Sequence, residues 1–283
     1  MPEDRGDPSA LAWLIGTELK NARTRAKVSQ KAAGTVLGVS HATISYMEGG
    51  TTAQEPAKVT TLLRHYSCDL AHADRLARLA GSYADKGTWW ADFADVVADW
   101  FATFVGLEGL ARAEFVWEPL ALPGMVQVPE YAEALLVNHL HFAPAEVPQV
   151  VSLRAARQKR LTDDEPLPYS TVIEERTLDR MVGGPDVMRR QLEHLLELSK
   201  LPNVDLFVMP EGTAVHDGLD GEFTLLDFEV AQSVAYIEFQ DSAVYIQDQD
   251  RVAKYALTRK RMCAAATAPI EEAIASRLPR LAV

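Results

Sequence analysis

The chain has 283 residues and a formal net charge of −12, with 48% hydrophobic and 24% charged residues. This length suits two domains, and the composition is ordinary for a globular protein. No apolar run approaches the roughly 20 residues of a membrane-spanning helix, and two cysteines, Cys68 and Cys263, exclude a disulfide scaffold. Because the chain also opens without a signal-peptide pattern, we expect a cytoplasmic protein with no membrane partner.

The charge is distributed unevenly along the chain. Residues 9–68 hold seven Lys/Arg and three Asp/Glu, a balance of +4, which leaves −16 for the remainder. DNA binding requires local positive charge against phosphates rather than a basic chain as a whole. The distribution therefore favours a nucleic-acid contact in the N-terminal region.

The N-terminal region is predicted to form five short helices behind a disordered tail over residues 1–11. Trp13, Leu14 and Leu19 give the first helix an apolar face, ahead of a basic run at 23–27. Ser29 and other short polar residues act as N-caps, and glycines end the helices. The later helices are predicted at 30–37, 41–48, 56–66 and 69–81. Together they predict one all-α domain over residues 12–82.

Residues 83–283 are predicted to form an α+β domain. Aromatic residues at helical spacing indicate one helix over 89–112. Strands are predicted at 114–117, 170–174, 204–209, 223–228, 234–239 and 243–246, and helices at 129–138, 146–161, 185–200 and 251–265. The last three strands lie close together in sequence, which indicates an antiparallel meander.

The strongest motif spans residues 29–49, which read SQKAAGTVLGVSHATISYMEG. It contains two short capped helices joined through Gly38 and Val39, the arrangement of a helix-turn-helix. Ile44 and Met47 can face inward, and the second helix of such a motif contacts base edges in the major groove through outward residues near its N-terminus. The residues expected at DNA bases are Ser40, His41, Ala42, Thr43, Ser45 and Tyr46.

Each expected contact has a chemical reason. His41 and Tyr46 can hydrogen-bond to base edges, and Ala42 can meet a thymine methyl group. Gln30 opens the first helix of the motif, where amides commonly bind phosphate, and the nearby Lys27 and Lys31 add positive charge. We therefore expect double-stranded DNA as a partner.

This segment resembles the Xre-type, lambda-repressor-like DNA-binding domain, whose members often read "leu-ser-gln … leu-gly-val-ser … ile-ser … glu-gly". The resemblance implies a structural ion pair between Arg23 on the first helix and Glu48 at the end of the recognition helix. Three positions depart from the family pattern. Ala33 replaces a usual Leu and Gly34 a usual Ala, which is expected to soften the fold, while Tyr46 stands where Arg or Gln is common.

A second resemblance begins at residue 107. The run LPGMVQVPEYA at 122–132 is similar to a signature of actinobacterial antitoxin-like transcriptional regulators, the WhiJ-like family. So are RxxRQ at 154–158, PNV at 202–204 and YIE at 236–238. This resemblance implies developmental regulation, a small protein partner encoded nearby and no catalytic activity. We also expect a homodimer, as is usual for such DNA-binding heads.

Other polar residues leave alternatives open. Arg154, Arg157 and Arg160 share a predicted helix and could clamp an anion, although pairing with acids such as Glu174 and Glu175 is favoured. His139-x-His141 and His216-Asp217 lack a third ligand at a suitable spacing, so neither a metal nor another cofactor is expected. No nucleophile motif such as Gly-x-Ser-x-Gly appears, so no catalytic residues are expected.

The sequence thus predicts a sequence-specific DNA-binding transcriptional regulator, controlled by a protein partner at its C-terminal domain. The first alternative is a regulator whose C-terminal domain binds a small molecule, and the second is an enzyme that carries a DNA-binding domain. A deep cavity with converging polar groups would favour the small molecule. A nucleophile hydrogen-bonded to a base would favour the enzyme, and a flat apolar surface the protein partner.

Overall fold

The computed structural model describes residues 5–82, 87–137 and 142–281. Its N-terminal part, hereafter the head, contains five helices. They are α1 (Pro8–Arg25), α2 (Gln30–Leu37), α3 (His41–Glu48), α4 (Pro56–His65) and α5 (Leu70–Gly81). These bounds confirm the predicted all-α arrangement, and within the described residues no helix is long and apolar enough to cross a membrane.

The start of the chain differs from the prediction of a disordered tail over residues 1–11. Helix α1 begins at Pro8, and the Asp7 carboxylate caps it by accepting hydrogen bonds from the amides of Ser9 and Ala10, each at 2.9 Å. Arg5 is also buried, and its Nη2 donates to the carbonyl oxygen of Ala156 at 3.0 Å. The prediction is therefore wrong for residues 5–11, because Asp-Pro is an N-cap followed by a favoured first-turn residue. Residues 1–4 lie outside the described part.

The C-terminal part is built on one mixed six-stranded sheet in the order β3-β2-β1-β4-β5-β6. Its strands are β1 (Ala113–Trp117), β2 (Tyr169–Glu174), β3 (Val204–Met209), β4 (Phe223–Asp227), β5 (Val234–Glu238) and β6 (Ala243–Ile246). The β4-β5-β6 meander is antiparallel, as predicted. However, β1, β2 and β3 pair in parallel, because helical crossovers connect them.

In the described residues of the C-terminal part, six further α-helices surround the sheet. They are α6 (Asp99–Leu110), α7 (Pro129–Leu136), α8 (Val147–Gln158), α9 (Pro185–Leu198), α10 (Gln249–Ala265) and α11 (Ile270–Ala275). The helix predicted over 89–112 is in fact a short 3₁₀ helix, Ala91–Val96, followed by α6. The backbone becomes extended at Val97 and Ala98. This break separates the aromatic residues before it, such as Phe93, from those of α6, such as Phe101. Helix α11 was not predicted, and its inward face is buried against the sheet and α9.

One apolar core joins the head to the C-terminal part. The same cluster contains Leu14 and Leu19 of α1, Phe104 of α6, and Leu226 and Tyr236 of the sheet. At the edge strand β6, Tyr245 packs edge-on against Trp13 with ring centroids 5.3 Å apart. The head therefore rests directly on the sheet and on α6.

Candidate functional sites

Helices α2 and α3 form a helix-turn-helix whose ends are set by local chemistry. The Ser29 hydroxyl accepts a hydrogen bond from the Ala32 amide, and the Ser40 hydroxyl accepts one from the Thr43 amide, both at 3.1 Å. Gly38 ends α2 with a φ of 67°, in the left-handed region that glycine adopts without strain. These contacts fix the angle at which α3 leaves the turn.

The outward side of α3 is polar and open. His41, Ser45 and Tyr46 are exposed, with Tyr46 at 60%, whereas Ile44 and Met47 are buried in the core. Ala42 and Thr43 are half-buried beside them. The structure thus brings the predicted base-contacting residues together along α3, from its N-cap Ser40 to Tyr46.

The predicted phosphate-contacting residues have different surroundings. Lys27 and Lys31 are exposed on either side of the loop into α2. The Gln30 side chain, by contrast, donates from Nε2 to Oε2 of Glu48 at 2.9 Å. Any phosphate contact from Gln30 would therefore use its backbone amide in the first turn of α2. Ser40, predicted to contact a base, is exposed, and its hydroxyl caps α3 by accepting a hydrogen bond from the Thr43 amide.

Arg23 and Glu48 form the ion pair that the family resemblance implies. Arg23 donates to both carboxylate oxygens, with Nη2 to Oε2 at 2.9 Å, and also donates to the Val28 carbonyl oxygen at 2.9 Å. The Glu48 side chain is 4% exposed and that of Arg23 15%. The hydrogen bond to Glu48 raises the pKa of Arg23 above its ordinary value. The pair ties the end of α3 to α1.

Gly34 departs from the family pattern for a packing reason. A Cβ at this position would lie 2.6 Å from the carbonyl oxygen of Val39, so the turn backbone crosses α2 too closely for alanine. A similar approach occurs between α1 and the end of α3, where Gly16 faces the Met47 carbonyl and Gly50 faces the Trp13 backbone. Gly34 therefore permits the close contact of the turn with α2.

The three arginines of α8 and the turn after it have partners other than the acids expected. Arg157 is buried and forms a two-fold pair with Glu108, both distances being 2.7 Å. Arg160 donates to the backbone carbonyl oxygens of Glu108 and Ala111, and Arg154 donates to the Gln127 side chain. Arg157 thus pairs with an acid, as the sequence favoured, but the two acids named, Glu174 and Glu175, are the wrong ones. Those two acids bind His216 and Arg277 instead.

A cavity of about 490 Å³ opens beside Arg154 and Arg157. Aromatic side chains of α6 and the sheet form much of its wall, and four glutamates line it: Glu114, Glu118, Glu222 and Glu238. Sequence reasoning missed these acids. One signal could have revealed them: Glu114 lies within the apolar strand β1, and a carboxyl group is costly to bury in an apolar core.

The other candidates from the sequence are His216-Asp217 and His139-x-His141. Within the described ranges, no group of three or more His, Cys, Asp or Glu residues could hold a metal ion. Nε2 of His216 contacts Glu174 at 3.1 Å, and Asp217 pairs with Arg261 at 2.7 Å. The His139-x-His141 pair lies outside the described residues.

Comparison with protein families identifies two regions. A family described as Helix-turn-helix domain matches residues 14–76, which contain α2 and α3. A family described as Domain of unknown function (DUF5753) matches residues 101–274, more than half of the chain. Neither the curated proteins nor the solved structures contain a match. The chain therefore belongs to the DUF5753 family and carries a helix-turn-helix domain ahead of the region that defines it.

Proposed function

We propose that this helix-turn-helix protein is a sequence-specific transcriptional regulator of the Xre type, with α3 as its recognition helix. The helix-turn-helix match supports DNA binding in general. The observation that carries the finer proposal is the outward face of α3, where His41 and Tyr46 are exposed on a helix that is capped and packed from behind. Such a helix can enter the major groove without rearrangement of the head.

Base readout and phosphate contact can be separated by mutation. A wild-type operator would first be selected from a random duplex pool, and a scrambled duplex would serve as reference. Replacing Tyr46 or His41 with Ala should cost about 1–3 kcal/mol on the operator and little on the scrambled duplex. Lys31→Ala should weaken both alike, because a phosphate contact carries no base information. Equal losses on both duplexes for Tyr46→Ala and His41→Ala would refute the assignment.

We further propose that the protein acts as a homodimer in the cytoplasm and is not an enzyme. One head with few phosphate contacts binds weakly at physiological salt, whereas two tethered heads gain about 10²–10⁴ in avidity. Light scattering of the full chain with a palindromic operator should give two protein chains per duplex. One chain per duplex at saturation would contradict the dimer.

We propose that the C-terminal part controls DNA binding by the head. The WhiJ-like resemblance favours a small protein partner. The cavity beside Arg154 favours the alternative, a small molecule, because a concave site with converging polar groups is typical of ligand binding. A small open reading frame next to the gene, whose product binds the full chain, would support the protein partner.

A further inference from the structure

The cavity lies between α6, α8 and the strands β1, β4 and β5. At about 490 Å³ it has the size of a small-molecule site. Trp100, Phe101, Phe104 and Tyr236 form an apolar wall, and the exposed Phe239 and Gln240 place its opening beside the turn between β5 and β6. The wall can cover the apolar body of a ligand.

The charges that line the cavity are unbalanced. Both oxygens of Glu108 already neutralise Arg157, and the Arg154 guanidinium is hydrogen-bonded to Gln127. The same cavity is lined by four glutamates. One of them, Glu238, accepts a hydrogen bond from the Tyr236 hydroxyl at 2.8 Å. The cavity therefore has more carboxyl groups than cations, and burial raises the pKa of Glu114, Glu118 and Glu222 among them.

Glu114 and Glu118 differ in how deeply they lie in the cavity. Glu114 is 2% exposed, and its Oε2 has no hydrogen-bond partner in the described part of the chain. Glu118 is half-buried at the cavity wall. The protein around it raises its pKa to about 8, mainly through burial, with Glu222 and Glu238 adding repulsion and Arg154 partly opposing it. Burial also raises the pKa of Glu222. A buried polar group without a partner is costly, so it indicates a binding role.

We propose that this cavity binds a small organic amine, with its apolar body against the aromatic wall and its ammonium group held by Glu118 and Glu222. An ammonium group supplies the positive charge and the hydrogen-bond donors that these carboxylates lack. A carboxylate or phosphate ligand would find one cation, Arg154, which is already hydrogen-bonded, and it could not take the place of the Glu118 proton as an ammonium group can.

The same wall connects the cavity to the head. Phe101 and Phe104 of α6 line the cavity, while Gly106 of the same helix contacts Ala10 and Asp7 of α1. A ligand that displaces the α6 side chains therefore acts on the surface that supports the head. This regulatory consequence rests on the proposed DNA-binding function, but ligand binding itself does not.

The test uses the full chain and three indole probes that differ in charge: tryptamine, a cation, tryptophol, which is neutral, and indole-3-acetate, an anion. Calorimetry at pH 7 should show tryptamine binding at least tenfold more tightly than tryptophol, and indole-3-acetate more weakly still. Titrations in two buffers of different ionisation enthalpy should show release of close to one proton with tryptamine. The proton comes from Glu118, because a group with a pKa of about 8 is mostly protonated at pH 7.

Two variants and one control make the result decisive. Glu118→Gln should abolish the proton release and the preference for tryptamine, and Glu222→Gln should weaken tryptamine binding. Glu271→Gln makes the same substitution at an exposed site on α11 and should change neither the proton release nor the binding of tryptamine. The proposal is overturned if none of the probes binds, if indole-3-acetate binds as tightly as tryptamine, or if Glu118→Gln keeps the proton release. Operator affinity measured with and without tryptamine then tests the regulatory consequence separately.

Discussion

At the scale of single residues, the Glu48 carboxylate accepts hydrogen bonds from Arg23 and Gln30 and so joins α1, α2 and α3. Removing one partner of a buried pair leaves the other charge uncompensated. We expect Glu48→Ala to lower the free energy of unfolding of the full chain by about 3 kcal/mol, the lower end of the range for such pairs. Urea unfolding followed by circular dichroism measures this change.

The matched control is the exposed pair of Glu55 and Lys58, whose charged atoms lie 2.7 Å apart. Glu55→Ala should cost less than about 1 kcal/mol, because solvent screens exposed pairs. If Glu48→Ala and Glu55→Ala unfold at the same urea concentration, the Arg23 pair does not hold the head together.

Glu118 makes the stability of the protein depend on pH. Its pKa is raised to about 8, so between the ordinary glutamate pKa and about pH 8 the folded state holds a proton that the unfolded state has lost. The contribution of Glu118 to stability therefore falls as pH rises through this window. We expect Glu118→Gln to melt near the wild-type temperature at pH 5 and above it at pH 9. A constant difference across this range, or the same widening in Glu271→Gln, would contradict the assignment.

At the scale of elements, local signals predicted most of the fold. Serine caps and Gly38 located α2 and α3, and short sequence separation revealed the β4-β5-β6 meander. The parallel pairing of β1 with β2 was not predictable in this way, because more than 50 residues separate the paired strands. The break at Val97 was also missed, since the aromatic side chains keep helical spacing across it.

The close contact between α1 and α6 requires glycine at position 106, because a side chain there would clash with α1. A Cβ at Gly106 would lie 2.6 Å from both the Ala10 Cβ and the Asp7 Oδ2. Gly106→Ala should therefore push the start of α1 away from α6, at a cost of about 1–3 kcal/mol in the free energy of unfolding. Hydrogen exchange should show faster exchange in the first turn of α1.

The control for this change is Gly81→Ala at the end of α5. There the new Cβ would meet the Pro56 ring at 3.4 Å, and we expect little loss of stability. Unchanged exchange in α1 of Gly106→Ala would show that the two helices can separate without cost.

At the scale of the whole molecule, the shared core predicts a single unfolding event. Leu14 and Leu19 of the head belong to the same apolar cluster as Leu226 and Tyr236 of the sheet. Differential scanning calorimetry of the full chain should show one transition, because separating the head would expose this surface to water. A separate low-temperature transition of the head would contradict it.

The cavity shows why the binding site was harder to predict than the recognition helix. Ser45 and Tyr46 lie three and four residues after Ala42 on one short helix, with His41 beside them, so their common face can be read from spacing. The cavity residues come from distant segments: Glu118 follows β1, Arg154 lies on α8 and Glu222 precedes β4. Only the tertiary fold brings these groups together, so their spacing in the sequence does not predict that they meet.

The packing of Trp13 on Tyr245 has a consequence for the layout of the DNA site. A head held against the sheet cannot swing freely as a head on a loose tether could, so two such heads in a dimer would face DNA at a set separation and angle. One inserted base pair moves a half-site by about 3.4 Å and turns it by roughly 34° around the duplex. Operators of this protein should therefore tolerate sequence changes between their half-sites but not changes in the number of base pairs there.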